Sequence, residues 1–489
     1  MSQFKGLIFN VNKMRSGGPH RIATHLRENN WDIEVLDYVG FFSFEDLVLF
    51  TESRISKDLK FIGFSFLWSM WPEDVLKFTS WIKKKYPHII LIAGLSAYSG
   101  VSNEIVDYYV FGWSENAIIA LLKYLFSNGE KPIFREDKVI LANEDYVAAP
   151  NYNPVIIYED RDFLHPDEWA SIEFSRGCKF QCAFCSDPFL GIKEDWSRTT
   201  ESFNLQMNNA YDRFGVTQYV VSDDTYNDRP SKIKRFADAT EKLSFTPFFS
   251  GFIRADLLAA RPADREDLLR MNFVGHLYGI ESFNHTAAKS IGKGGNPDKI
   301  KQGILEVKNY FKSNNHKLYR GTISLIAGLP HETIESLENT RKWVLENWQG
   351  EDFMFYPLYI SNINNSDIYE EKSLISKNFE KYGYRNLNLD LLSPKDKKII
   401  FNQNTVIWEN DHMNFVEALK FSKEIYQQIQ LSNFNIGNWP MTYIPKPLQY
   451  TINLKMNANY HGEVFPIFGE EYAYTLNFAK KYLEKKMSI

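Results

Sequence analysis

The stretch Ser171-Ile172-Glu173-Phe174-Ser175-Arg176-Gly177-Cys178-Lys179-Phe180-Gln181-Cys182-Ala183-Phe184-Cys185 joins a short β-like run to a loop that holds all three cysteines of the chain. Three thiols this close cannot make a disulfide framework, because one is always left over, and a reducing compartment keeps thiols free. Metal or cluster ligation is the leading chemistry. Three thiolates can hold three corners of a cubane iron–sulfur cluster, leaving one iron without a protein ligand. Zinc is the alternative, with His165 or His276 as a fourth ligand, although zinc motifs favour paired C-x-x-C knuckles and only Cys182 and Cys185 have that spacing.

From this loop onward, β-like runs at 171–174, 218–222, 247–253, 275–280, 321–326 and 352–359 alternate with helical patterns, including 232–243, 265–271, 297–311 and 333–347. Six such units predict a partial (β/α)6 TIM-like barrel over 171–360, whose chemistry belongs on the loops that follow the strands. The cysteine loop follows the first strand. Asp223 and Asp224 follow the second, Arg254 the third, Glu281 ends the fourth, and Gly328 comes after the fifth.

Before it, strands expected at 5–11, 33–38, 61–66, 89–93 and 108–111 alternate with helices, one of them starting with Pro72 in the first turn. Apolar strands that alternate with helices imply a Rossmann-like parallel sheet over 1–130, covered on both faces, with its ligand crevice beyond the carboxyl ends of the strands. Gly17-Gly18, 65–70, 94–99 and 112–115 fall there. Residues 131–170 read as a linker, rich in turn formers. After 360 the alternation is lost; 361–489 is expected to form a mostly helical substrate or cap region with a helix at 414–429. Its aromatics, with Trp408, Trp439, Tyr443, Tyr450, Tyr460 and Tyr472, either fill a core or line a substrate pocket.

A chain of 489 residues, 44% of them hydrophobic, supports two or three such domains. The longest apolar runs fall far short of the ~20 residues of a membrane span. The amino terminus lacks the basic flank and apolar core of a secretory signal, so a cytoplasmic protein is expected. A net charge of −5, without a block of like charge, carries no footprint for nucleic acid or an anionic membrane.

Cys178-x-x-x-Cys182-x-x-Cys185, with Phe184 before the last cysteine and Ser175-Arg176-Gly177 before the first, is similar to the signature of the radical S-adenosylmethionine (SAM) superfamily. Further matches follow in order: Ser222-Asp223-Asp224, Arg254, Gly279-Ile280-Glu281-Ser282, and Ile326-Ala327-Gly328-Leu329-Pro330-His331-Glu332-Thr333. The resemblance implies a [4Fe–4S] cluster on Cys178, Cys182 and Cys185, whose open iron takes the amino and carboxylate groups of SAM. It implies Phe184, Asp223, Asp224, Arg254, Glu281 and Gly328 as residues around that cofactor. An aspartate after the second strand suits the methionine ammonium, or else caps a helix. Glu281 ends an apolar strand and needs a partner, such as the ammonium or ribose hydroxyls of SAM. Arg254 would hold the SAM carboxylate or pair with Glu281. Gly328 lets backbone approach the adenine, or simply makes a turn. No catalytic residue is assigned.

The first domain resembles the cobalamin-binding domain of one large subgroup of these enzymes. The likeness rests on Ser16-Gly17-Gly18-Pro19, Ile33-Glu34-Val35-Leu36-Asp37, Ile62-Gly63-Phe64-Ser65, Ala93-Gly94-Leu95-Ser96-Ala97 and the run from Val106 to Glu115. The Asp-x-His-x-x-Gly motif that ligates cobalt from below is absent: Gly18 stands two positions before His20 and Ala23 three after it, so His20 and His25 read as ordinary helix and loop residues.

The resemblance implies reductive cleavage of SAM to a 5′-deoxyadenosyl radical that modifies an unactivated carbon, with cobalamin-dependent C-methylation the leading reaction. A cobalamin-free cyclase, isomerase or oxidoreductase with a vestigial first domain is the alternative, and a non-catalytic cobalamin or redox sensor is the rival from another class. A small-molecule or peptide substrate and an electron donor such as flavodoxin or ferredoxin are the expected partners. With no fourth cysteine, an auxiliary cluster has no thiolates.

Overall fold

The apolar runs form two six-stranded sheets, each parallel throughout, in a computed structural model that describes residues 5–66, 71–95, 104–135, 138–146, 154–185, 196–314, 318–360, 373–400, 405–430 and 470–489. The first sheet contains β1 (Gly6–Asn10), β2 (Ile33–Leu36), β3 (Phe61–Ser65), β4 (Ile90–Leu95), β5 (Tyr108–Phe111) and β6 (Val139–Leu141), in the order β2-β1-β3-β4-β5-β6. Between and after them run α1 (Gly17–Glu28), α2 (Phe44–Glu52), α3 (Glu73–Lys85), α4 (Glu115–Phe126) and the single turn α5 (Ala142–Asp145).

Alternation along each strand decides which helix covers which face. Leu7 and Phe9 of β1 pack with Phe50 of α2 and Phe78 of α3, while Ile8 between them packs with Leu26 of α1 and Leu121 of α4. Burial on both faces is why the strands read as unbroken apolar runs. Pro72 stands at the cap of α3, one position before the first turn where it was expected. Val139–Leu141 is too short and too isolated to stand out from the polar stretch around it, yet it supplies the sixth strand of the sheet, so the 131–170 stretch is more than a linker.

The second sheet keeps chain order: β7 (Trp169–Ile172), β8 (Gln218–Val221), β9 (Phe248–Ile253), β10 (Phe273–Glu281), β11 (Arg320–Ala327) and β12 (Asp352–Pro357). This is the partial barrel. Its helices are α6 (Thr200–Phe214), α7 (Pro230–Thr240), α8 (Ala255–Ala260), α9 (Asp264–Arg270), α10 (His285–Ser290), α11 (Pro297–Ser313) and α12 (Ile334–Asn347). Asn296 caps α11, with Pro297 in its first turn, and Thr333 with Ser336 closes a capping box on α12.

After β12 come α13 (Leu374–Lys377), a two-residue ribbon of β13 (Arg385–Asn386) with β14 (Trp408–Glu409), α14 (Pro394–Ile400) between those strands, and α15 (Phe415–Gln430). Of these, α13, β14 and α15 pack on the core of the second sheet. The closing helix α16 (Glu470–Met487) does not join them. Its Ala479 and Tyr482 complete the α2–α3 face of the first sheet, and Lys486 pairs with Glu34 inside β2 at 3.3 Å. Trp439, Tyr443, Tyr450 and Tyr460 lie outside the described residues, as does the side chain of Tyr472. Trp408 is fully buried, its indole N–H donating to the Leu358 carbonyl. Among the described residues no helix is long and apolar enough to cross a membrane.

Candidate functional site

The cysteine loop is rooted by a buried carboxylate. Asp223, just past β8, accepts from the Phe174 amide (2.7 Å) and the Ser175 hydroxyl (2.6 Å), and lies 3.4 Å from the Lys232 ammonium. Lys232 also donates to Ser175 Oγ and pairs with Asp228 at 2.7 Å. Burial lifts the Asp223 carboxyl above its usual range, against the pull of Lys232. Asp223 was expected beside the methionine ammonium; the structure instead engages both its oxygens inside the protein. Its neighbour Asp224 is exposed and near enough to Cys178 to act on its charge.

Past this root the chain turns through Gly177, at φ +78°, where a Cβ is disfavoured, and reaches Cys178. The three cysteines are half-buried. Cys178 Sγ lies 3.5 Å from the Thr225 hydroxyl, and Arg254 Nη1 points at Cys182 Sγ at the same distance. Burial pushes the Cys178 thiol up, with Thr225 acting against it. The Cys185 amide donates to the Cys182 carbonyl, closing a tight turn. The Ala183 amide donates to the Ile291 carbonyl and its carbonyl accepts from the Ile375 amide, so the loop is pinned from both sides. Phe184 is half-buried against the core of the second sheet.

Because the sheet is parallel and in chain order, the remaining candidates reach the same edge. Arg254 begins the loop after β9, but its partner is Asp256 (2.6 Å), not Glu281, and its guanidinium lies 3.9 Å from the centre of the Phe180 ring. Glu281 is buried at φ +66°, past a bulge in β10, and pairs with Lys293 at 3.1 Å. Lys293 also donates to the Gly279 carbonyl. Gly328 has φ +94°, and a Cβ there would stand 2.1 Å from the Trp408 indole, so in this fold its bareness serves that close packing. Tyr384 donates to its carbonyl. Lys293, Asp256, Thr225 and Lys232 were not singled out in the sequence. Only Lys293 carried a local signal, in Gly292-Lys293-Gly294-Gly295.

Among the described residues a fourth zinc ligand is not at hand. Both ring nitrogens of buried His276 are engaged, by the Tyr278 hydroxyl and the Phe273 carbonyl, and burial pushes it down to about 3. His165 accepts from the Asp167 amide and packs on Phe478 of α16. Among the described residues no three His, Cys, Asp or Glu side chains converge on one ion. Thiolates on separate irons of a cube need not do so. A guanidinium aimed at one sulfur and a hydroxyl against another suit a cluster, since groups around a ligand orient it and tune the metal.

The carboxyl edge of the first sheet is filled differently on its two sides. Beyond β1 and β2, Arg15 bonds Asp37 (2.5 Å) and Glu168 (2.9 Å), and buried His20 lies 2.9 Å from Asp37. Burial opposes the charge on Asp37, yet Arg15 and His20 hold its carboxyl at about 2. His20 is thus part of an ionic knot. Beyond β1 and β3 the edge carries glycine: a Cβ on Gly18 would meet the Ser65 hydroxyl at 3.7 Å, an ordinary contact, and within β4 one on Gly94 would meet the Phe64 carbonyl at 3.8 Å. Residues 67–70 and 96–103, which follow β3 and β4, lie outside the described residues. The two sheets meet here. Gly17 sits so close to β7 that a Cβ would stand 2.4 Å from Ser171 Oγ.

Residues 172–344 match the radical SAM superfamily. No curated protein sequence matches the chain. Among solved structures it is similar to the radical SAM methyltransferase TsrM from Kitasatospora setae with tryptophan substrate and a SAM analog bound, at TM-score 0.56 and 12% identity over 73% of this chain and 74% of that one. The same enzyme with cobalamin and a [4Fe–4S] cluster bound gives TM-score 0.55 and 12% identity over 80% and 81%. The cobalamin-dependent SAM radical enzyme OxsB with aqua-cobalamin bound gives 0.55 and 14% over 77% of this chain and 56% of that one.

Proposed function

We infer, for a chain whose residues 172–344 match the radical SAM superfamily, that it is a cobalamin-dependent radical SAM enzyme that methylates an unactivated carbon of a small molecule or peptide. The observation that carries this reading is the meeting of two parallel-sheet carboxyl edges, one bearing the cysteine loop and the other Gly17 and Gly18, with Gly17 packed on Ser171 of β7. The two-sheet fold is shared with TsrM and OxsB, whose structures hold cobalamin.

When bound, a reduced [4Fe–4S] cluster with SAM supplies a 5′-deoxyadenosyl radical, and cobalamin supplies a methyl group. The protein's part is binding, orientation and exclusion of water. Cys178, Cys182 and Cys185 hold the cluster. Arg254 donates to the Cys182 sulfur and tempers its charge, and the Thr225 hydroxyl lies against the sulfur of Cys178. Asp224, Glu281 and Lys293 stand as the ionic groups for the amino-acid end and ribose of SAM, with Phe184 beside the cluster. Asp223 and Lys232 hold the root of the loop.

Protein purified without oxygen and reconstituted with iron, sulfide and hydroxocobalamin is expected to hold four irons and one cobalt per chain. With SAM and a titanium(III) reductant it is expected to release both 5′-deoxyadenosine and S-adenosylhomocysteine. Deoxyadenosine without retained cobalt would reject methyl transfer and leave a cobalamin-free radical enzyme.

A further inference from the structure

Between the two edges lies a closed square of four charges. Arg176, two residues before Cys178, pairs with Glu115 (Nη2 to Oε1 2.9 Å, Nη1 to Oε2 3.2 Å) and with Glu173 (2.8 Å). Arg21, on α1 just past Gly17-Gly18, pairs with the same two carboxylates, Glu173 at 2.9 Å and Glu115. Signs alternate around the square and sum to zero. Two of its sides cross between the sheets: Arg176–Glu115 and Arg21–Glu173. All four side chains are largely buried, that of Arg176 being 5% exposed. Burial works against the charge of Glu115, yet Arg176 and Arg21 hold its carboxyl at about 2. The Arg176 guanidinium also lies 4.7 Å from the ring centre of Trp113, which precedes α4. A guanidinium held by two carboxylates and a ring has little freedom to shift, because its planar fork fixes direction as well as distance.

The placement of these residues is more informative than their number. Glu115 opens α4 beyond the carboxyl end of β5, on the edge of the first sheet that also carries Gly17 and Gly18. Glu173 and Arg176 lie between the end of β7 and the first cysteine. A shift of the cysteine loop relative to the first sheet must therefore break a buried ion pair. Breaking such a pair is costly, since it leaves an uncompensated charge in low dielectric.

We propose that Arg176, Glu115, Glu173 and Arg21 are positioning residues that set the distance and angle between the two cofactor edges. The proposal rests on the cobalamin reading above. A methyl group can pass from SAM to cobalt only if the two meet in line, whereas cleavage of SAM to deoxyadenosine needs the cysteine side alone. Misplacement on the scale of an ångström costs such a transfer on the order of a hundredfold.

The test uses Glu115→Gln, Arg176→Lys and the double variant, each reconstituted with iron, sulfide and hydroxocobalamin and given SAM with titanium(III) citrate. In all three, iron per chain is expected to match the parent. S-adenosylhomocysteine per deoxyadenosine is expected to fall by about tenfold or more. The double variant is expected to do no worse than the singles, because the members act as one unit. Simple destabilisation would lower both products together and leave their ratio alone; that result overturns the proposal. Amide hydrogen exchange over 173–178, measured on the same proteins without SAM, is expected to quicken about tenfold or more in Glu115→Gln, a residue of the other sheet. Unchanged exchange there overturns the proposal as well. If the parent protein keeps no cobalt and releases no S-adenosylhomocysteine, the methyl-transfer reading fails. The exchange result then still decides whether the square ties the cysteine loop to the first sheet.

Discussion

At the carboxyl edge of the first sheet, Arg15, Asp37, His20 and Glu168 bind one another and are buried, whereas at the same edge of the second sheet stand three half-buried thiols, with the Thr225 hydroxyl against one and the Arg254 guanidinium aimed at another. Both edges come from the same alternation of strand and helix, so architecture alone does not separate them. The difference lies in what the loops bring to the rim: the acids and the arginine after the second sheet's strands are paired within the protein as well, but the loop after β7 adds three half-buried sulfurs. A closed ionic knot stabilises one conformation, whereas sulfurs gathered on one rim suit a cluster. On the first sheet the closed knot lies on the β1–β2 side.

The sharpest break of this contrast is at the thiols. Replacing any of Cys178, Cys182 or Cys185 with Ala is expected to abolish SAM cleavage and lower iron content, with the urea midpoint little changed, because no core residue is lost; iron assay and deoxyadenosine release check this. Full activity in the triple variant would remove the cluster from the account.

On the closed side, Asp37→Asn strips Arg15 and His20 of their shared partner and is expected to cost about 3–5 kcal/mol in urea unfolding. Iron binding should survive it. The pH dependence has a definite sign. The folded Asp37 carboxyl sits at about 2, below its ordinary 3.8, so its stabilisation is complete above pH 4 and is lost as pH falls through 2; Asp37→Asn should flatten that acid limb.

Neighbouring acids on the second sheet separate next. Glu281→Gln is expected to weaken SAM binding by roughly 10- to 150-fold with iron unchanged, since it removes one charge-assisted bond of about 1.5–3 kcal/mol. Asp223→Asn, by contrast, should lower iron occupancy first, because it loosens the root of the loop and leaves Lys232 short of a partner. Calorimetric titration of SAM beside iron assay separates the two, and equal SAM affinity in parent and Glu281→Gln would move the pocket elsewhere.

The smallest effect concerns Glu332, buried after β11, where burial pushes its carboxyl up to about 7 while the Ser336 and Ser282 hydroxyls pull it down. Its folded value exceeds its ordinary 4.5, so its share of stability is full below that value and is lost as pH rises through 7. Glu332→Gln is expected to remove this slope from urea midpoints measured between pH 4.5 and 8.

Strands were readable because a parallel sheet covered on both faces writes itself as short apolar runs, as in Gly6–Asn10 and Phe273–Glu281. The edge of the second sheet was readable for the same reason: once strand order follows chain order, whatever comes after each strand shares one rim. Partner choice was not. Arg254 takes Asp256, Glu281 takes Lys293 and Asp223 takes Lys232, and two of these pairs depend on how a following loop or helix returns, which no periodicity records. Val139–Leu141 was missed because three residues are too few to show a period, and the place of α16 because its anchors Tyr482 and Lys486 have partners more than 400 residues away.

The docking of α16 on the first sheet also orders events in time. Glu34 leaves the ribosome early and can meet Arg54 soon after, but its second cation, Lys486, is made 452 residues later. At ordinary elongation rates that wait is on the order of tens of seconds, long enough for the second sheet to be synthesised meanwhile. Through that interval the α2–α3 face near β2 is uncovered and Asp37 lacks Tyr482 above it. The first sheet is therefore begun before the cysteine loop is made and closed only after it, and a nascent chain stalled before Glu470 would carry a completed cysteine loop beside an unclosed neighbour.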